Sequence, residues 1–183
     1  MKIDSMNFED NINFQEIEES INNCCRQINT KFYLGLTDVV FICVLKGAVP
    51  FFTYLTQKLY YDGLTQTDYI SASSYGDELE SSGFVKIDLP PTIDFKGKRV
   101  VIVDDIIDTG LTMSRLINYF KVNGANEVFS CALFYKKGNT VFVPDFYGME
   151  IGKEFIVGFG LDFLQRYRNM NFIVRLEGKN ENH

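Results

Sequence analysis

The chain has 183 residues, of which 46% are hydrophobic and 23% charged, and its formal net charge is -6. This length and composition predict a single globular domain with a core of its own. The acidic balance leaves no basic surplus to neutralise a phosphate backbone, so we expect no nucleic-acid partner. No apolar run approaches the ~20 residues of a membrane span, and residues 1–10 are too polar for a targeting peptide. We therefore expect a cytoplasmic protein with no membrane partner.

The histidine and cysteine content limits the kinds of catalytic and metal site that the chain can form. The single histidine is His183, which excludes most zinc sites, Ser-His-Asp triads and histidine general bases. Acid–base chemistry must then use carboxylates, lysines or tyrosines. The four cysteines lack C-x-x-C spacing and lie in helix-like or strand-like runs, which predicts buried free thiols in a reducing compartment. They are Cys24, Cys25, Cys43 and Cys131.

Apolar residues at helical spacing predict a first helix over residues 14–30. A buried strand follows at 39–45, and a second helix begins near Pro50, a residue suited to a first helical turn. The apolar face predicted for that helix consists of Val49, Phe52, Leu55 and Leu59. Further strands are predicted at 68–74, 84–88, 99–104, 128–134 and 154–158, and a third helix at 111–123. This alternation is typical of an α/β fold with a mainly parallel, twisted sheet flanked by helices.

The segment from residue 100 to 112 carries the most chemical information. Val100 to Val103 form a continuous apolar run, typical of a strand buried on both faces of a parallel sheet. Asp104 and Asp105 then lie at its carboxyl end, where open α/β sheets bind ligands. Residues 109–112 bring hydroxyls and backbone N–H groups to a helix N-terminus, which attracts a phosphate. Carboxylates beside a phosphate require a cation or sugar hydroxyls as partners, so the segment predicts a phosphorylated sugar with a divalent metal.

Two other interpretations of this segment are open on sequence alone. A strand that ends in two aspartates also opens a receiver domain, in which the pair holds magnesium, and Lys136 follows a later strand here as a lysine does there. In a receiver, however, the pair follows the first strand, whereas here it lies past the middle of the chain. The structural alternative makes Asp108 a helix N-cap and the other carboxylates solvated loop charges.

Residues 100–112 closely resemble the motif that binds 5-phosphoribosyl 1-diphosphate (PRPP) in type I phosphoribosyltransferases, and the rest of the chain resembles their hypoxanthine-guanine branch. The match runs in order from about residue 39 to 176. Its other parts are Val44 to Gly47 as the pyrophosphate loop, Ser74 and Tyr75 as the start of a mobile catalytic loop, Lys136 as the purine-reading lysine, and Phe155 to Gly158, Leu161, Asp162 and Arg168 as the purine pocket and its closing arginine. The polar segment 76–83, otherwise a simple hairpin connection, is then expected to act as a lid.

The chain departs from the family pattern at two positions of the motif. Asp104 stands where the family usually has a glutamate, and the shorter arm should still reach a ribose hydroxyl. Leu111 stands where many members carry a lysine, which removes one charge-assisted contact with the phosphate. We expect weaker phosphoribosyl binding and retained activity.

The resemblance implies a purine salvage enzyme that transfers the phosphoribosyl group of PRPP to N9 of a 6-oxopurine. Hypoxanthine and guanine give IMP and GMP, xanthine (giving XMP) is left open, and pyrophosphate is released. It further implies Mg2+ as cofactor, small-molecule substrates as partners, and a homodimer or homotetramer, with Phe51, Phe52 and Tyr54 as candidate interface residues. A core PRPP-binding domain is expected at 39–144, with 1–38 and 145–183 forming a small hood lobe over the purine.

The resemblance also implies a role for each matching residue. Asp108 is expected to exchange a proton at purine N7 and so to be the catalytic residue. PRPP and phosphate contacts are expected from Leu45, Lys46, Gly47, Asp104, Asp105, Asp108, Thr109, Gly110, Leu111, Thr112 and Arg168. Purine contacts are expected from Ile106, Lys136, Phe155, Ile156 and Asp162, and metal contacts from Asp104, Asp105 and Asp162.

Plain structural alternatives stand beside several of these roles. Lys136 would otherwise be a solvated lysine next to Lys137, Phe155 a core residue, and Asp162 a helix-initiating carboxylate. A regulator that keeps the fold and binds RNA or DNA is the competing function. The acidic composition and the presence of Asp108 and Lys136 favour an enzyme.

Overall fold

The computed structural model describes residues 11–33, 38–59, 65–73, 86–138 and 142–176. Three helices lie in these ranges: α1 (Phe14–Lys31), α2 (Val49–Lys58) and α3 (Leu111–Val122). The strands are β1 (Val39–Val44), β2 (Gln66–Ser73), β3 (Lys86–Leu89), β4 (Arg99–Ile107), β5 (Glu127–Lys136), β6 (Phe146–Ile151), β7 (Phe155–Val157) and β8 (Val174–Leu176). Within the described ranges, no helix is long and apolar enough to cross a membrane.

Six strands form one sheet in the order β3-β2-β1-β4-β5-β6. The neighbouring pairs from β2 to β6 are parallel, and β3 alone pairs antiparallel, at the edge. This architecture confirms the predicted fold class. Because β1 and β4 are parallel and central, their carboxyl ends meet at one edge of the sheet, as open α/β folds require for ligand binding.

Each face of the sheet buries its own apolar cluster, because successive side chains of a strand point to opposite faces. Val101 and Val103 of β4 pack with residues of α1 and α2. Val100 and Ile102 pack with α3, whose Phe120 is fully buried. Burying each such side chain contributes about 1.5–3 kcal/mol. Helices therefore pack on both faces of the sheet, which holds the carboxyl ends of its strands in place.

Helix α1 matches the prediction closely. Asn13 and Glu16 form a reciprocal capping box at its start, which satisfies two backbone N–H groups that the first turn leaves open. The helix buries one face, including Ile17, Ile21 and Ile28.

The predicted apolar face of α2 is partly wrong. Pro50 does stand in the first turn, but Val49 is 37% exposed and Phe51 is completely buried instead. Phe52 is buried as well, so neither phenylalanine is available as the predicted interface residue. Of that group only Tyr54 is exposed, at 38%.

Strand β4 is longer than predicted. It continues to Ile107, with Asp104 paired to Ala132 and Ile106 to Phe134. The acidic pair therefore lies within the paired part of β4 and not beyond the end of the strand. Both carboxylates are thus attached to a rigid backbone. Strands β6 and β8 were not predicted, because the glycine and glutamate of β6 and the three-residue length of β8 hide any strand pattern.

The first and last segments that the structure describes pair with each other beside the main sheet. β7 and β8 form a separate antiparallel pair, and Ile12 bridges to Ile173. Both observations agree with a lobe built from both termini. The division at residues 38/39 and 144/145 stays a prediction, and β6, which it assigns to the lobe, pairs with β5 in the main sheet.

The four cysteines are free and buried, as predicted. Burial raises the pKa of Cys25 to about 11. Burial, together with the negative charges of Asp104 and Asp105, raises the pKa of Cys43 to about 12. These thiols are therefore protonated and unreactive at neutral pH.

Candidate active site

The acidic pair lies at the carboxyl end of β4. The backbone N–H of Asp105 donates to Asp104 Oδ1 at 3.0 Å, and the N–H of Ile106 donates to Asp105 Oδ1 at 2.8 Å. Burial, followed by the charge of Asp105, raises the pKa of Asp104 well above its usual range. Burial also raises the pKa of Asp105, although the hydrogen bonds it accepts and the nearby Arg168 guanidinium oppose this. The pair therefore concentrates negative charge that a cation would relieve.

The donors of this pair suit a hard divalent cation. Mg2+ prefers carboxylate oxygens, keeps several waters, and is commonly held by one or two carboxylates together with substrate phosphates. In the described part of the chain no cluster of three His, Cys, Asp or Glu side chains could form an all-protein cage. Asp104 and Asp105 thus fit an ion that shares its coordination with a substrate.

The loop after β1 approaches the same pair. The N–H of Leu45 donates to the carbonyl of Ile70 at 2.8 Å, and the Leu45–Lys46 peptide is cis. A side chain on Gly47 would collide with the carboxylate of Asp105. Only glycine lets the backbone come this close, so the loop backbone at Gly47 lies beside the carboxylate of Asp105.

The turn between β4 and α3 ends in an unusual N-cap. Gly110 occupies this position with a φ of 78° and supplies no side-chain cap. The hydroxyl of Thr109 lies 3.4 Å from the N–H of Leu111, and Leu111 itself is 60% exposed. Because Gly110 has no side chain to cap the helix, the N–H groups of the first turn of α3 are donors of the kind that anions accept from. The structural alternative, with Asp108 as the N-cap, is wrong.

Asp108 pairs instead with Lys136. The ammonium of Lys136 lies 2.8 Å from Asp108 Oδ2, and the two side chains are 9% and 45% exposed. The register explains the contact, because Ile107 of β4 pairs with Tyr135 of β5 and the next residue in each chain segment is one of the partners. Lys136 is therefore not a solvated lysine, whereas Lys137 pairs with Glu150 on the exterior at 2.9 Å.

Arg168 connects the loop after β7 to this site. Its Nη1 donates to the carbonyl of Gly160 at 2.7 Å, and its Nη2 lies 2.7 Å from Asp162 Oδ1. The other oxygen of Asp162 accepts from the N–H of Gln165 at 2.7 Å. No helix begins at Asp162, so that alternative is also wrong. The guanidinium lies within reach of Gly47 and of the charge of Asp105.

The residues predicted to frame a purine lie on β4 (Ile106) and on β7 (Phe155 and Ile156). Phe155 is 46% exposed and packs edge-on against Phe163 with ring centroids 6.0 Å apart, so it is not a core residue. Ile156 is buried and pairs with Arg175. Ile106 is partly buried against the main core. The predicted loop residues Ser74 and Tyr75 lie outside the described residues.

Sequence reasoning missed two residues of this site. Gly160 has a φ of 99°, and a side chain there would collide with the carbonyl of Gly47. Gln165 accepts from Arg168 at 3.3 Å and is itself in the left-handed region, with a φ of 62°. The two glycines of Gly158-Phe159-Gly160 were the available signal for a close backbone approach.

Comparison with known proteins identifies the family. The model of the phosphoribosyl transferase domain matches residues 10–164. The chain belongs to the phosphoribosyltransferase family, as the motif at 100–112 predicted.

Individual relatives narrow the likeness to one branch. Hypoxanthine-guanine phosphoribosyltransferase of Streptococcus thermophilus is 40% identical over 146 residues, 79% of each chain. The bifunctional protein TilS/HprT of Listeria monocytogenes is 37% identical over 164 residues, which are 88% of this chain. This chain spans only 25% of the length of that protein.

A solved structure agrees with the fold. Hypoxanthine-guanine phosphoribosyltransferase of Bacillus anthracis superimposes with a TM-score of 0.82 at 34% identity, covering 90% of this chain and 96% of that one. The predicted family and fold are confirmed.

Proposed function

We propose that the chain is a purine salvage enzyme that transfers the phosphoribosyl group of PRPP to N9 of hypoxanthine or guanine and releases pyrophosphate. The names of its relatives support this assignment. The observation that carries it is the Lys136–Asp108 pair, held 2.8 Å apart at the edge where the acidic pair and the α3 N-terminus also lie. A lysine and a carboxylate so placed can read the O6 and N7 atoms of one purine.

The phosphoribosyl end of PRPP would occupy the turn before α3. Backbone N–H groups from Gly110 to Thr112 and the Thr109 hydroxyl would bind the 5-phosphate, and Asp104 and Asp105 would accept from the ribose hydroxyls. The diphosphate would lie against Lys46, Gly47 and Arg168. An arginine supplies a bidentate fork for such an anion, and Arg168 must give up part of its contact with Asp162 to provide it.

Mg2+ is the cation that we propose for the acidic pair, and once bound it would neutralise the charge that develops on the leaving diphosphate. Asp104 and Asp105 would hold it directly or through water. Asp162 is the candidate for a second ion, but its two oxygens are engaged with Arg168 and the N–H of Gln165. Any metal role for Asp162 therefore requires that Arg168 first moves away.

The purine would be fixed by contacts of three kinds. Lys136 donates to O6, Asp108 exchanges the proton at N7, and the exposed face of Phe155 stacks on the ring. Ile106 closes the opposite face, and the backbone near Ile156 and Asp162 reads the edge that carries C2. Adenine is rejected because its 6-amino group is a donor where Lys136 requires an acceptor.

We also propose a cytoplasmic location and a homodimer or homotetramer. The apolar surface of α2 supports association, although through Tyr54 and Val49 and not through the buried phenylalanines. Sedimentation of the purified protein measures the oligomeric state directly.

A substrate panel tests the proposed activity. The protein is mixed with PRPP, Mg2+ and one of hypoxanthine, guanine, xanthine or adenine, and nucleotide formation is followed by absorbance. We expect turnover with hypoxanthine and guanine and none with adenine. Absence of turnover with every 6-oxopurine would contradict the proposal, and binding of RNA without turnover would support the regulator instead.

A further inference from the structure

The turn formed by Phe159 and Gly160 contacts both segments that we propose for the diphosphate. Gly160 is paired twice with Arg168: its N–H donates to the Arg168 carbonyl at 2.9 Å, and its carbonyl accepts from Arg168 Nη1 at 2.7 Å. Gly160 also lies so close to the Gly47 carbonyl that any side chain would collide with it. The turn therefore determines where the loop at Gly47 and the guanidinium of Arg168 lie relative to each other.

The side chain of Phe159 anchors this turn in the main core. It is only 4% exposed and belongs to the apolar cluster that includes residues of α1 and α2. The centroid of its ring lies 6.3 Å from that of Phe14 on α1 and 5.9 Å from that of Tyr54 on α2. The rings of Phe14 and Tyr54 are themselves 5.6 Å apart. All three distances lie in the range of favourable aromatic pairs, so Phe159 connects the turn to two helices.

The backbone of Phe159 depends on this anchor. Its φ is 45°, in the left-handed region, which is unfavourable for a bulky residue and persists only where the surrounding contacts fix it. Its N–H donates to the Met170 carbonyl at 2.9 Å. A Cβ on Gly160 would lie 3.0 Å from Pro50 Cδ, and Tyr54 follows Pro50 by one helical turn, so α2 presents both residues to the turn on one face.

We propose that Phe159 is a positioning residue for the diphosphate of PRPP. Packed between the two helices, it keeps Gly160 against the loop at Gly47 and thereby keeps the Arg168 guanidinium beside that loop. This inference rests on the proposed function, in which Gly47 and Arg168 face the diphosphate. A misplacement of about 1 Å can cost up to ~10²-fold in an enzyme reaction. Loss of the Phe159 ring should therefore weaken the use of PRPP while the purine contacts on β4 and β5 stay in place.

Steady-state kinetics of Phe159→Leu tests the inference, with Phe32→Leu as the matched control. Phe32 is also 4% exposed and also contacts two rings, at 5.3 and 6.1 Å, but it lies at the other end of α1 from Phe14. Thermal unfolding should show a similar loss of stability in both variants. We expect the KM for PRPP to rise about fivefold or more in Phe159→Leu alone, with kcat and the KM for hypoxanthine within about twofold of the native values. An unchanged KM for PRPP, or an equal rise of both KM values, overturns the inference.

A second variant and a binding measurement cover the case in which Phe159→Leu does not fold. Phe14→Ala removes one of the two rings behind Phe159 and lies at the first residue of α1, so we expect the same change at a smaller size. Calorimetric titration with inorganic pyrophosphate and Mg2+ should show weaker binding by both variants than by the native protein and by Phe32→Leu. Native turnover of a 6-oxopurine together with equal dissociation constants overturns only the positioning role. If the native protein turns over no 6-oxopurine, the proposed function and this inference fail together.

Discussion

At the scale of single residues, the site places carboxylates where their ionised form is energetically costly. Two adjacent carboxylates share a partly buried strand end, and the raised pKa of each reflects first the desolvation that opposes its ionisation. A folded pKa above the unfolded value means that the native state binds more protons than the unfolded chain. Stability is then lost as pH rises from about 4, the usual value for Asp. In the ligand-free protein, the acidic pair therefore destabilises the fold at neutral pH.

Asp104→Asn should therefore raise the melting temperature of the ligand-free protein at pH 7 while lowering phosphoribosyl transfer. The amide removes the charge whose burial is costly and also one proposed ribose and metal contact. Thermal unfolding at pH 7 and at pH 4 provides the measurement, since the gain should vanish at the lower pH. Asp38→Asn, an exposed residue before β1, is the matched control and should change neither property. A lower melting temperature at pH 7 would contradict the charge argument.

Asp108→Asn should reduce kcat by ~10² or more and leave the purine KM nearly unchanged, because it removes the proton acceptor and keeps the shape. Steady-state kinetics with hypoxanthine checks this directly. A variant with the native rate would remove Asp108 from its assigned role.

At the scale of secondary-structure elements, the site depends on two close approaches of backbone segments. The loop after β1 lies against Asp105 on one side, and Gly160 lies against the Gly47 carbonyl on the other. Sequence patterns predicted the loop at Leu45 to Gly47 but not this second contact, because it joins segments more than 100 residues apart and depends on positive φ values from Phe159 to Tyr167. The spacing of apolar residues indicates helices and strands, whereas turns of this kind have no regular sequence repeat.

Gly47→Ala should raise the KM for PRPP at least tenfold, because the added methyl group displaces Asp105 and the N–H groups beside it. The control is Gly138→Ala, where a side chain meets nothing within 4 Å and the cost is only that of a φ of 82°, about 1 kcal/mol of stability. PRPP saturation curves distinguish the two variants, and equal curves would show that the close approach is unimportant for binding.

A carboxylate on β2 anchors the start of the connection before β4. Asp68 on β2 accepts from the N–H groups of Thr92 at 2.6 Å and Ile93 at 2.8 Å. Partial burial alone would raise the pKa of Asp68, but the backbone hydrogen bonds from Ile93, Tyr69 and Thr92 outweigh it and lower the pKa. A lowered pKa means stability that is present above about pH 4, the unfolded value, and is lost as pH falls through the folded one.

Asp68→Ala should accordingly lower the free energy of unfolding by about 2 kcal/mol at pH 7 and by much less near pH 3. Urea unfolding at both pH values tests this, with Asp94→Ala as the control for an exposed carboxylate that accepts one N–H at 3.1 Å. An equal loss at both pH values would show that charge is not the cause.

At the scale of the whole molecule, the sequence predicted the sheet and the site motif because both are local patterns. The run from Val100 to Val103 marked the central strand, and the carboxylates after it marked the ligand edge. The burial of Phe51 in place of Val49 could not be predicted, because it depends on how α2 is rotated against α1 and the sheet. The partnership of Asp108 with Lys136 likewise required the register of β4 and β5.

The proposed function requires that this edge of the sheet binds a phosphorylated ribose and a purine together, and a crystal structure of the protein with bound GMP would show whether it does. We expect the phosphate at residues 109–112, the ribose hydroxyls at Asp104 and Asp105, and O6 within hydrogen-bonding distance of Lys136 Nζ. A nucleotide bound at any other surface, or one whose base points away from Lys136, would contradict it.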